Sequence, residues 1–474
     1  MITWGISANS HDAALAVFSE DGLEFASHAE RFSGIKNDAH LNTKLVEYAK
    51  QWGEPDEVVW YEQPFRKTLR QFRAGQGWRL RENNISSYLG NYGISCPIRY
   101  TSHHLSHAAA GYYTSPFNDA TVVCIDSIGE FETLTVWEGK DNKLKKIYSQ
   151  GYPHSIGLWY SAMTQRIGLK PNEDEYILMG MAAYGDPLRL FNDILHDFFV
   201  LPNEDSLWHI FNDKPRIKLK HNLHRGCTWW RPDLTTEQDL FDIAAGTQAV
   251  YQYILKIISN WARWKSLSGN LVLMGGCALN CSANGSIKGD WNDMYIMPNP
   301  GDAGSAIGSV LAHKKQHMEM THAYLGYDIE GEYPIENAIQ ELKTVGICGV
   351  ANGRAEFGPR AFGNRSLLAD PRGSNIKHSV NQIKQRQQFR PFAPVVLEEY
   401  ASKNFDGYYN DYMQFTSRCT NPDLYPAITH ADGTSRVQTV PKNDSGIRRL
   451  LEAWFEATGC PMLLNTSLNI KGKP

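Results

Sequence analysis

The sequence predicts an α/β protein whose first part is a duplicated domain that closes around a nucleotide. Strand-like segments joined by tight polar turns occur near the start of the chain and again at residues 120–139, and each turn is suited to hold a phosphate. Gly-rich turns precede two helical segments, at Gly275-Gly276 and at residues 299–304, where backbone N–H groups can approach an anion. The recurrence of the hairpin indicates the duplication.

The composition is that of a globular enzyme, with 42 % hydrophobic residues and a net charge of −4. A chain of 474 residues exceeds what one hydrophobic core usually organises, so two domains are expected. No apolar run approaches the roughly 18 residues of a membrane span, and Met1 leads directly into a strand-like segment. The eight cysteines have no paired spacing, which is typical of reduced thiols. We expect a cytoplasmic protein with no membrane partner, and a homodimer is compatible with the sequence.

The opening segments alternate apolar and polar residues. This alternation predicts an antiparallel meander around the turn Asp21-Gly22, with the strands ITWGIS, DAALAVF and LEFASH. An amphipathic helix is expected at residues 43–52, and a run of alanines favours another helix after His103. A long helical pattern over residues 237–264 precedes the apolar strand NLVLM.

The pattern restarts after about Gly331. Strand-like TVGICGV, FAPVVL and PMLLNTS alternate with polar loops and one helical segment. Gly and polar residues cluster between Tyr324 and Pro334. We therefore place the domain boundary there, which gives one domain at residues 1–328 and a second at residues 329–474.

His103 and His107 are spaced to lie on one face of a helix, where a first-row metal ion can accept both imidazoles. Asp302, in the loop NPGDAG, can add a carboxylate ligand. Such a mixed set fits iron, manganese or zinc and does not choose among them. The alternatives are an ordinary histidine pair on a helix surface and, for Asp302, the N-cap of the helix that follows.

Several blocks spread over nearly the whole chain resemble the ATP-dependent O-carbamoyltransferases of antibiotic and nodulation-factor tailoring. The blocks are GISANSHDAALAV, AERFSGIKND, SHHLSHAAA, MGGCALN, NPGDAGSAIG, RAEFGPRAFGNRSLLADPR, FRPFAPVV, HADGTSRVQ and NTSLN. The resemblance implies an N-terminal domain of the actin-like (ASKHA-type) ATPase superfamily and a C-terminal YrdC-like α/β domain. The implied enzyme makes carbamoyl-adenylate from carbamoyl phosphate and ATP, then transfers the carbamoyl group to an acceptor hydroxyl.

The resemblance implies a divalent ion at His103, His107 and Asp302. Fe²⁺ is the expected ion, with Mn²⁺ or Zn²⁺ as alternatives, and Mg²⁺ accompanies ATP. It also implies catalytic roles for His11 and Asp12 in the hairpin tip NSHD. His11 is a general base for the acceptor or a donor to the adenylate phosphate, against the alternative of a turn histidine that faces water. Asp12 is expected to hold the turn.

The nucleotide is expected at the second hairpin and at the Gly-rich turns. The predicted contacts are Asp126, Ser127, Gly129, Gly275, Gly276, Asn280, Gly301 and Gly304. The alternative for the glycines is a tight strand-to-helix turn that only packs. The family usually has Gly where this chain has Ser127, and Lys where it has Ile177, so one backbone approach and one cation differ from the family pattern.

The second domain carries the densest set of candidate anion ligands. Lys384 and Arg386 form a K-x-R pair, and Ser467 and Asn469 form an S-x-N pair, a combination that YrdC-like domains carry. Alternate residues of a strand point the same way, so each pair is expected to present two groups to one ligand. These four residues and three further arginines are predicted to bind carbamoyl phosphate and the phosphates of ATP: Arg360, Arg365 and Arg390.

The acceptor is the least constrained part of the prediction. Residues 65–81 and 214–232 interleave cations with aromatic residues, as nucleic-acid-binding surfaces do. The candidate acceptor contacts are Arg73, Trp78, Trp229 and Trp230. A hydroxymethylpyrimidine nucleotide or DNA is favoured over a sugar, antibiotic or nodulation-factor hydroxyl. The alternatives of other kinds are a threonylcarbamoyl-type transferase acting on tRNA and a non-catalytic nucleotide-binding regulator of actin-like fold.

Overall fold

The computed structural model describes residues 1–200, 217–470 and 473–474, and these residues form an α/β protein, as predicted. The first sheet has the strand order β3-β2-β1-β4-β5. Its strands are β1 Thr3–Ser7, β2 Ala14–Phe18, β3 Leu23–His28, β4 Glu57–Trp60 and β5 Ile98–Tyr100. Strands β1, β2 and β3 pair antiparallel, which is the predicted meander, and β1, β4 and β5 pair parallel.

The second sheet repeats this arrangement with the order β12-β11-β6-β7-β8. Its strands are β6 Asp119–Gly129, β7 Glu132–Lys140, β8 Lys143–Gly151, β11 Asn270–Met274 and β12 Asp293–Tyr295, and a separate short pair consists of β9 Phe199–Val200 and β10 Lys218–Leu219. Strands β6, β7 and β8 pair antiparallel, whereas β6, β11 and β12 pair parallel. Each strand thus has a counterpart in the first sheet, which confirms the predicted duplication.

The helices of this first part connect and cover the two sheets. They are α1 Glu30–Ser33, α2 Thr43–Ala49, α3 Pro64–Arg73, α4 Ile85–Gly90, α5 His103–Thr114, α6 Ile156–Arg166, α7 Glu175–Met181, α8 Pro187–Phe198, α9 Glu237–Lys265, α10 Cys281–Lys288 and α11 Ser305–Lys314. Short 3-10 segments occur at Lys50–Trp52, Ala182–Tyr184, Gly276–Leu279 and Asp302–Gly304. The long helix α9 begins with a capping box, in which Thr236 and Asp239 satisfy each other's backbone N–H groups.

Helices α5 and α11 lie between the two sheets and share one apolar core with both of them. Small residues allow this close packing: an added Cβ at Gly308 of α11 would lie 1.9 Å from the carbonyl oxygen of Ser106 in α5. The polar N-terminal ends of both helices therefore meet where β6 ends. This is where the fold can bring distant polar residues together.

The remaining part of the chain has its own five-stranded sheet, ordered β14-β16-β22-β17-β21, and its own core. The strands are β13 Tyr324–Ile329, β14 Ile347–Ala351, β15 Gly353–Glu356, β16 Arg365–Ala369, β17 Ala393–Leu397, β18 Phe405–Gly407, β19 Ser417–Cys419, β20 Thr434–Ser435, β21 Gln438–Val440 and β22 Met462–Ser467. The helices are α12 Ile335–Thr344, α13 Ile376–Ile383, α14 Glu398–Asn404 and α15 Gly446–Thr458. Among the described residues, no helix is both long and apolar enough to traverse a bilayer.

Candidate functional site

The N-terminal end of α5, the end of β6 and the 3-10 turn before α11 place four polar side chains together. His103 and His107 face each other with their Nε2 atoms 3.1 Å apart. The Oδ1 atom of Asp302 lies 3.3 Å from each of these nitrogens. The Oδ2 atom of Asp126 lies 3.2 Å from Nε2 of His103. All four side chains are buried or nearly so, and we call them the histidine–aspartate cluster.

Charge attraction within this cluster outweighs the cost of burial. Burial disfavours both the imidazolium and the carboxylate forms, but Asp302 and Asp126 raise the pKa of His103 above its ordinary value. In turn, His103 and His107 hold the pKa of Asp302 well below its usual range and also lower the pKa of Asp126. The protonated, cationic form of His103 is therefore favoured, and its Nε2 atom lies between the carboxylates of Asp302 and Asp126.

The donor set fits a first-row divalent ion. Two imidazole nitrogens facing each other can form a hydrogen bond only if one is protonated, whereas a cation can accept both in neutral form. Neighbouring ligands bound at about 2.1 Å from a metal lie roughly 3 Å apart, which agrees with the separations of 3.1 to 3.3 Å here. Asp302 caps neither the 3-10 turn nor α11, so its N-cap alternative is not realised.

Residues of the second hairpin contact the histidine–aspartate cluster, whereas the sequence predicts that they contact the nucleotide. Asp126 is predicted to contact the nucleotide, but its carboxylate reaches His103. The carbonyl of Ser127 accepts a hydrogen bond of 2.6 Å from Oγ of Ser155. Gly129 packs against the imidazole of His103, where an added Cβ would lie 2.1 Å from Cδ2. The end of β6 therefore supports helix α5, which carries His103 and His107.

The turn after β11 is a close-packed connection. Gly275 has a φ of +88°, which favours glycine. The N–H of Gly276 donates to Oδ1 of Asp126 at 3.2 Å, so this turn also supports the histidine–aspartate cluster. Asn280 exchanges two hydrogen bonds with the side chain of Gln248, at 3.0 and 2.9 Å. Its amide is therefore engaged by protein rather than free for a ribose.

The loop that carries Asp302 has one open and one closed glycine. Gly301 has nothing within 4 Å of an added Cβ, so its backbone can be approached by a ligand. Gly304 packs on the carbonyl of Asn299, where an added Cβ would lie 1.9 Å from the oxygen. Of the two predicted contacts, Gly301 is the accessible one.

His11 lies at the tip of the first hairpin with 41 % of its side chain exposed. Its Nδ1 atom lies 3.0 Å from Oδ2 of Asp12, and its Nε2 atom lies 2.6 Å from the carbonyl oxygen of Asn172. Partial burial lowers the pKa of His11, but the hydrogen bond and charge of Asp12, with smaller contributions from Asp302 and Asn172, raise it to about 9. The imidazolium form is therefore favoured at neutral pH, and each of its two N–H groups faces a protein oxygen.

The predicted K-x-R and S-x-N pairs meet, although the expectation that each lies on a strand is wrong. Lys384 is the C-cap of α13 and Arg386 lies in the turn that follows, because Gln385 takes a left-handed φ of +51° and ends the helix. Ser467 is the last residue of β22 and Asn469 lies beyond it. Nζ of Lys384 donates to the carbonyl of Ser467 and to Oδ1 of Asn469, the latter at 2.8 Å.

Lys384 belongs to a group of largely buried cations, which we call the cation cluster. Its members are Arg360, Lys384, Arg386, Arg390 and Arg436. Burial and mutual repulsion lower the pKa of Lys384 to about 7 and those of Arg360 and Arg386 to about 9. Within the described part of the chain, no member forms an ion pair with a carboxylate.

Two further polar atoms of this region are buried without a partner, Nε of Arg436 and Nε2 of His430. Buried polar atoms normally have partners, so the cation cluster has the properties of an anion site. Sequence reasoning missed Arg436, which the block HADGTSRVQ contains. Arg365 does not join the cluster, because its guanidinium donates to backbone carbonyls that include those of Asn352 and Tyr327.

The first part of the chain contributes to the edge of the cation cluster. The guanidinium of Arg390 lies 4.7 Å from the ring centre of Tyr176. The hydroxyl of Tyr184 donates to the carbonyl of Phe389 at 3.1 Å. Ile177, where the resemblance implies Lys, is buried in the apolar core. Arg390 therefore supplies a cation next to the helix that lacks one.

The two candidate acceptor segments approach each other in space. Nε2 of Gln76 lies 3.2 Å from Nε2 of His224. The rings of Phe72 and Trp78 stack with centres 4.4 Å apart, and Trp78 is 55 % exposed. The guanidinium of Arg73 lies over the ring of Phe131 at 5.4 Å. These groups form a solvent-facing aromatic and basic surface beside the second hairpin.

Trp229 and Trp230 differ in exposure. Trp229 is 53 % exposed, whereas Trp230 is buried and donates from Nε1 to Asp197 at 2.9 Å. The assignment of Trp230 to the acceptor surface is therefore wrong. Residues 214–216 of the second candidate segment lie outside the described residues. We call Phe72, Arg73 and Trp78 the aromatic surface; Trp229 packs beside Phe198 and His221.

Comparisons with known proteins agree on the carbamoyltransferase family. The profile of the carbamoyltransferase N-terminus matches residues 67–311, and that of the carbamoyltransferase C-terminus matches residues 339–474. Nodulation protein U of Sinorhizobium fredii is 33 % identical over 98 % of this chain and 93 % of its own length. The 3'-hydroxymethylcephem-O-carbamoyltransferase of Amycolatopsis lactamdurans is 28 % identical over 98 % of this chain and 92 % of its own length.

Solved structures resemble the chain only weakly. Component A of (R)-2-hydroxyglutaryl-CoA dehydratase from Acidaminococcus fermentans has a TM-score of 0.38 at 14 % identity, and covers 66 % of this chain and 99 % of its own. Full-length HypF in its phosphate- and nucleotide-bound form has a TM-score of 0.37 at 12 % identity, and covers 66 % of this chain and 46 % of its own.

Proposed function

Because the chain belongs to the carbamoyltransferase family, we propose that it is an ATP-dependent O-carbamoyltransferase that works through carbamoyl-adenylate. The observation that carries the proposal is the buried histidine–aspartate cluster where the two repeated sheets meet. The repeated strand order supports an actin-like nucleotide-binding domain at residues 1–328. The K-x-R and S-x-N contacts support a YrdC-like domain at residues 329–474.

The first step uses the cation cluster. Carbamoyl phosphate and the triphosphate of ATP bind there, since none of the five cations forms an ion pair with a carboxylate of the described residues. Water hydrolyses carbamoyl phosphate to carbamate and inorganic phosphate. An oxygen of the carbamate then attacks the α-phosphorus of ATP. An oxygen–phosphorus bond forms while the bond to the β-phosphate breaks, so pyrophosphate leaves.

The second step uses the histidine–aspartate cluster. The acceptor oxygen attacks the carbamoyl carbon, the bond from that carbon to AMP breaks, and the hydroxyl proton is released to solvent. When bound, a divalent ion held by His103, His107, Asp302 and Asp126 supplies Lewis acidity for the carbamoyl carbonyl. Fe²⁺ is proposed, with Mn²⁺ or Zn²⁺ as alternatives. The positive charge of His11 at neutral pH stabilises the negative charge of the departing AMP.

Separate assays of the two steps test this assignment. With carbamoyl phosphate and ATP, Lys384→Ala is expected to abolish pyrophosphate release, because the adenylate-forming site loses its central cation. His107→Ala is expected to retain pyrophosphate release and to lower carbamoyl transfer by about 100-fold or more. Trapped carbamoyl-adenylate, detected by mass, would accumulate only in His107→Ala.

Lys343→Ala is the matched control for the lysine, since Lys343 is exposed on α12 away from the cluster. This variant should match the wild type in both assays. If Lys384→Ala and His107→Ala both leave turnover unchanged, the catalytic assignment is wrong.

The proposed acceptor is a hydroxymethylpyrimidine nucleotide or DNA, with a sugar or antibiotic hydroxyl as the alternative. The aromatic surface supports this choice because exposed stacked rings next to cations are suited to unpaired bases. The surface borders the second hairpin, whose turn approaches His103. An extruded or single-stranded base is therefore the form expected to bind.

Binding of a single-stranded oligonucleotide tests the acceptor class independently of turnover. Affinity should fall linearly on a logarithmic scale with salt, and Trp78→Ala should weaken binding by about 1–3 kcal/mol. Trp264→Ala is the control, because Trp264 is similarly exposed, at 50 %, on α9. Absence of binding at low salt would remove the nucleic-acid acceptor and leave the sugar alternative.

A further inference from the structure

Glu130 occupies the tip of the hairpin between β6 and β7 and is only 2 % exposed. Its φ of +51° is uncommon for a residue with a side chain. The carboxylate turns inward and contacts two helices that are far apart in sequence. The sequence predicts this residue only as the last member of the second phosphate-holding turn, residues 126–130.

One oxygen of Glu130 caps both of these helices. Its Oε1 atom accepts the N–H of Gln63 at 2.8 Å, at the start of α3, and the N–H of His103 at 3.3 Å, at the start of α5. The N-cap residues of these helices, Gln63 and Ser102, make no side-chain capping hydrogen bond of their own. A carboxylate satisfies such N–H groups and favours the positive end of each helix dipole.

The same turn holds α3 by two further contacts. Oε2 of Glu130 lies 3.4 Å from Nε of Arg66, and its carbonyl accepts a hydrogen bond of 3.1 Å from Nε of Arg70. On its other side, Gly129 packs directly against the imidazole of His103. Glu130 therefore fixes two elements at once, the helix leading to Phe72 and Arg73 and the helix that begins with a predicted metal ligand.

We infer that Glu130 is a positioning residue that fixes His103 relative to the aromatic surface. It thereby keeps the distance between the acceptor hydroxyl and the carbamoyl carbon constant. The inference rests on the proposed function for its catalytic consequence. Its structural part stands on the two hydrogen bonds from one carboxylate oxygen. Misplacement of reacting groups by about 1 Å can cost 100-fold in rate.

Three variants test the inference. Glu130→Ala removes both caps, whereas Glu130→Gln keeps an oxygen that can accept both N–H groups. Glu138→Ala is the matched control, because Glu138 lies on the adjoining strand β7 and, among the described residues, pairs with the exposed Lys145. Each protein is titrated with Mn²⁺ and with Zn²⁺, hydrogen exchange is followed at α3 and α5, and carbamoyl transfer and pyrophosphate release are assayed separately.

Glu130→Ala is expected to weaken Mn²⁺ and Zn²⁺ binding by about 10-fold or more and to speed exchange in both helices. It should lower kcat of transfer and leave pyrophosphate release unchanged. Glu130→Gln should restore metal binding and transfer to within a few-fold of the wild type. A merely structural role predicts equal losses in both partial reactions.

Equal metal affinity in Glu130→Ala and the wild type would overturn the inference even if the wild type transfers carbamoyl groups. Failure of Glu130→Gln to restore the affinity would also overturn it. If the wild type neither releases pyrophosphate nor transfers carbamoyl groups, the proposed function fails. Metal affinity and hydrogen exchange would still decide whether Glu130 positions His103.

Discussion

Asp126 shows how a single residue changes its assignment once the fold is known. The sequence predicts that Asp126 belongs to a phosphate-binding turn, because it follows an apolar strand and precedes a polar segment. In the structure, β6 continues irregularly to Gly129, and the carboxylate faces His103 rather than the outside of the turn. Local patterns predict the strand, but they do not predict which way its last side chains point.

Replacement of Asp126 by Asn should weaken divalent metal binding by about 10- to 100-fold, because a carboxylate that supports a histidine ligand is replaced by a neutral amide. Titration with Mn²⁺ and Zn²⁺ measures the effect. Asp119→Asn is the control, since Asp119 is exposed at the other end of the same strand. Unchanged affinity in Asp126→Asn, with loss in Asp302→Asn, would restrict the ligand set to the three predicted residues.

Lys384 should make anion binding depend on pH. Burial and the charges of Arg386 and Arg390 lower its pKa to about 7, so the free protein loses this cation as the pH rises through 7. Affinity for sulfate, whose charge does not change in this range, should therefore be higher at pH 6 than at pH 8, with proton uptake on binding in the upper range. Calorimetry in buffers of different ionisation enthalpy measures both quantities.

The variant Lys384→Arg is the check on this assignment, because arginine stays charged over the whole range. Its sulfate affinity should vary less between pH 6 and pH 8 than that of the wild type. A pH profile identical in the two proteins would assign the dependence to another group.

At the scale of elements, the strands and helices follow closely from the sequence. Apolar alternation is a local signal, so it predicts the meander β1–β3 and the hairpin β6–β7. The K-x-R pair was misassigned to a strand because two cations one residue apart look alike on a strand and in a turn. Arg436 and Glu130 lie in segments that the sequence singles out, but nothing local predicts what their side chains contact. Their importance comes from contacts made over long sequence separations.

Packing of α5 against α11 should be sensitive to one added methyl group. Gly308→Ala would place Cβ within 1.9 Å of the Ser106 carbonyl and 2.8 Å of the Ala110 Cβ, so the two helices must separate. We expect a loss of about 1–3 kcal/mol in the free energy of unfolding. Metal affinity should also fall, because His107 lies next to Ser106. Denaturant titration and Mn²⁺ binding measure the two effects.

Gly285→Ala provides the control for this prediction. Gly285 lies within α10, and an added Cβ there would meet nothing within 4 Å. Alanine should therefore stabilise that helix by up to about 1 kcal/mol. Equal stability changes in the two alanine variants would contradict the tight crossing of α5 and α11.

At the scale of the whole molecule, the two proposed steps use sites in different parts of the chain. Both steps therefore depend on contacts between these parts. Gln414, from the second part, reaches into the first part. Its Nε2 atom donates to the carbonyls of Ile296 and Met297, at 2.8 and 3.1 Å. These residues lead directly into the loop that carries Asp302. The backbone carbonyl of Gln414 accepts a hydrogen bond from Nδ2 of the buried Asn284.

Gln414→Ala should therefore act on both stability and metal binding. Two buried carbonyls lose their partner, which should lower the free energy of unfolding by about 1–3 kcal/mol. The loop with Asp302 is then less constrained, so Mn²⁺ affinity should fall as well, while phosphate binding at the cation cluster should be retained. Gln340→Ala, at an exposed position of α12, should change none of these quantities. If Gln414→Ala lowers stability but leaves metal affinity equal to that of Gln340→Ala, the second part does not set the position of Asp302, and the histidine–aspartate cluster is organised by the first part alone.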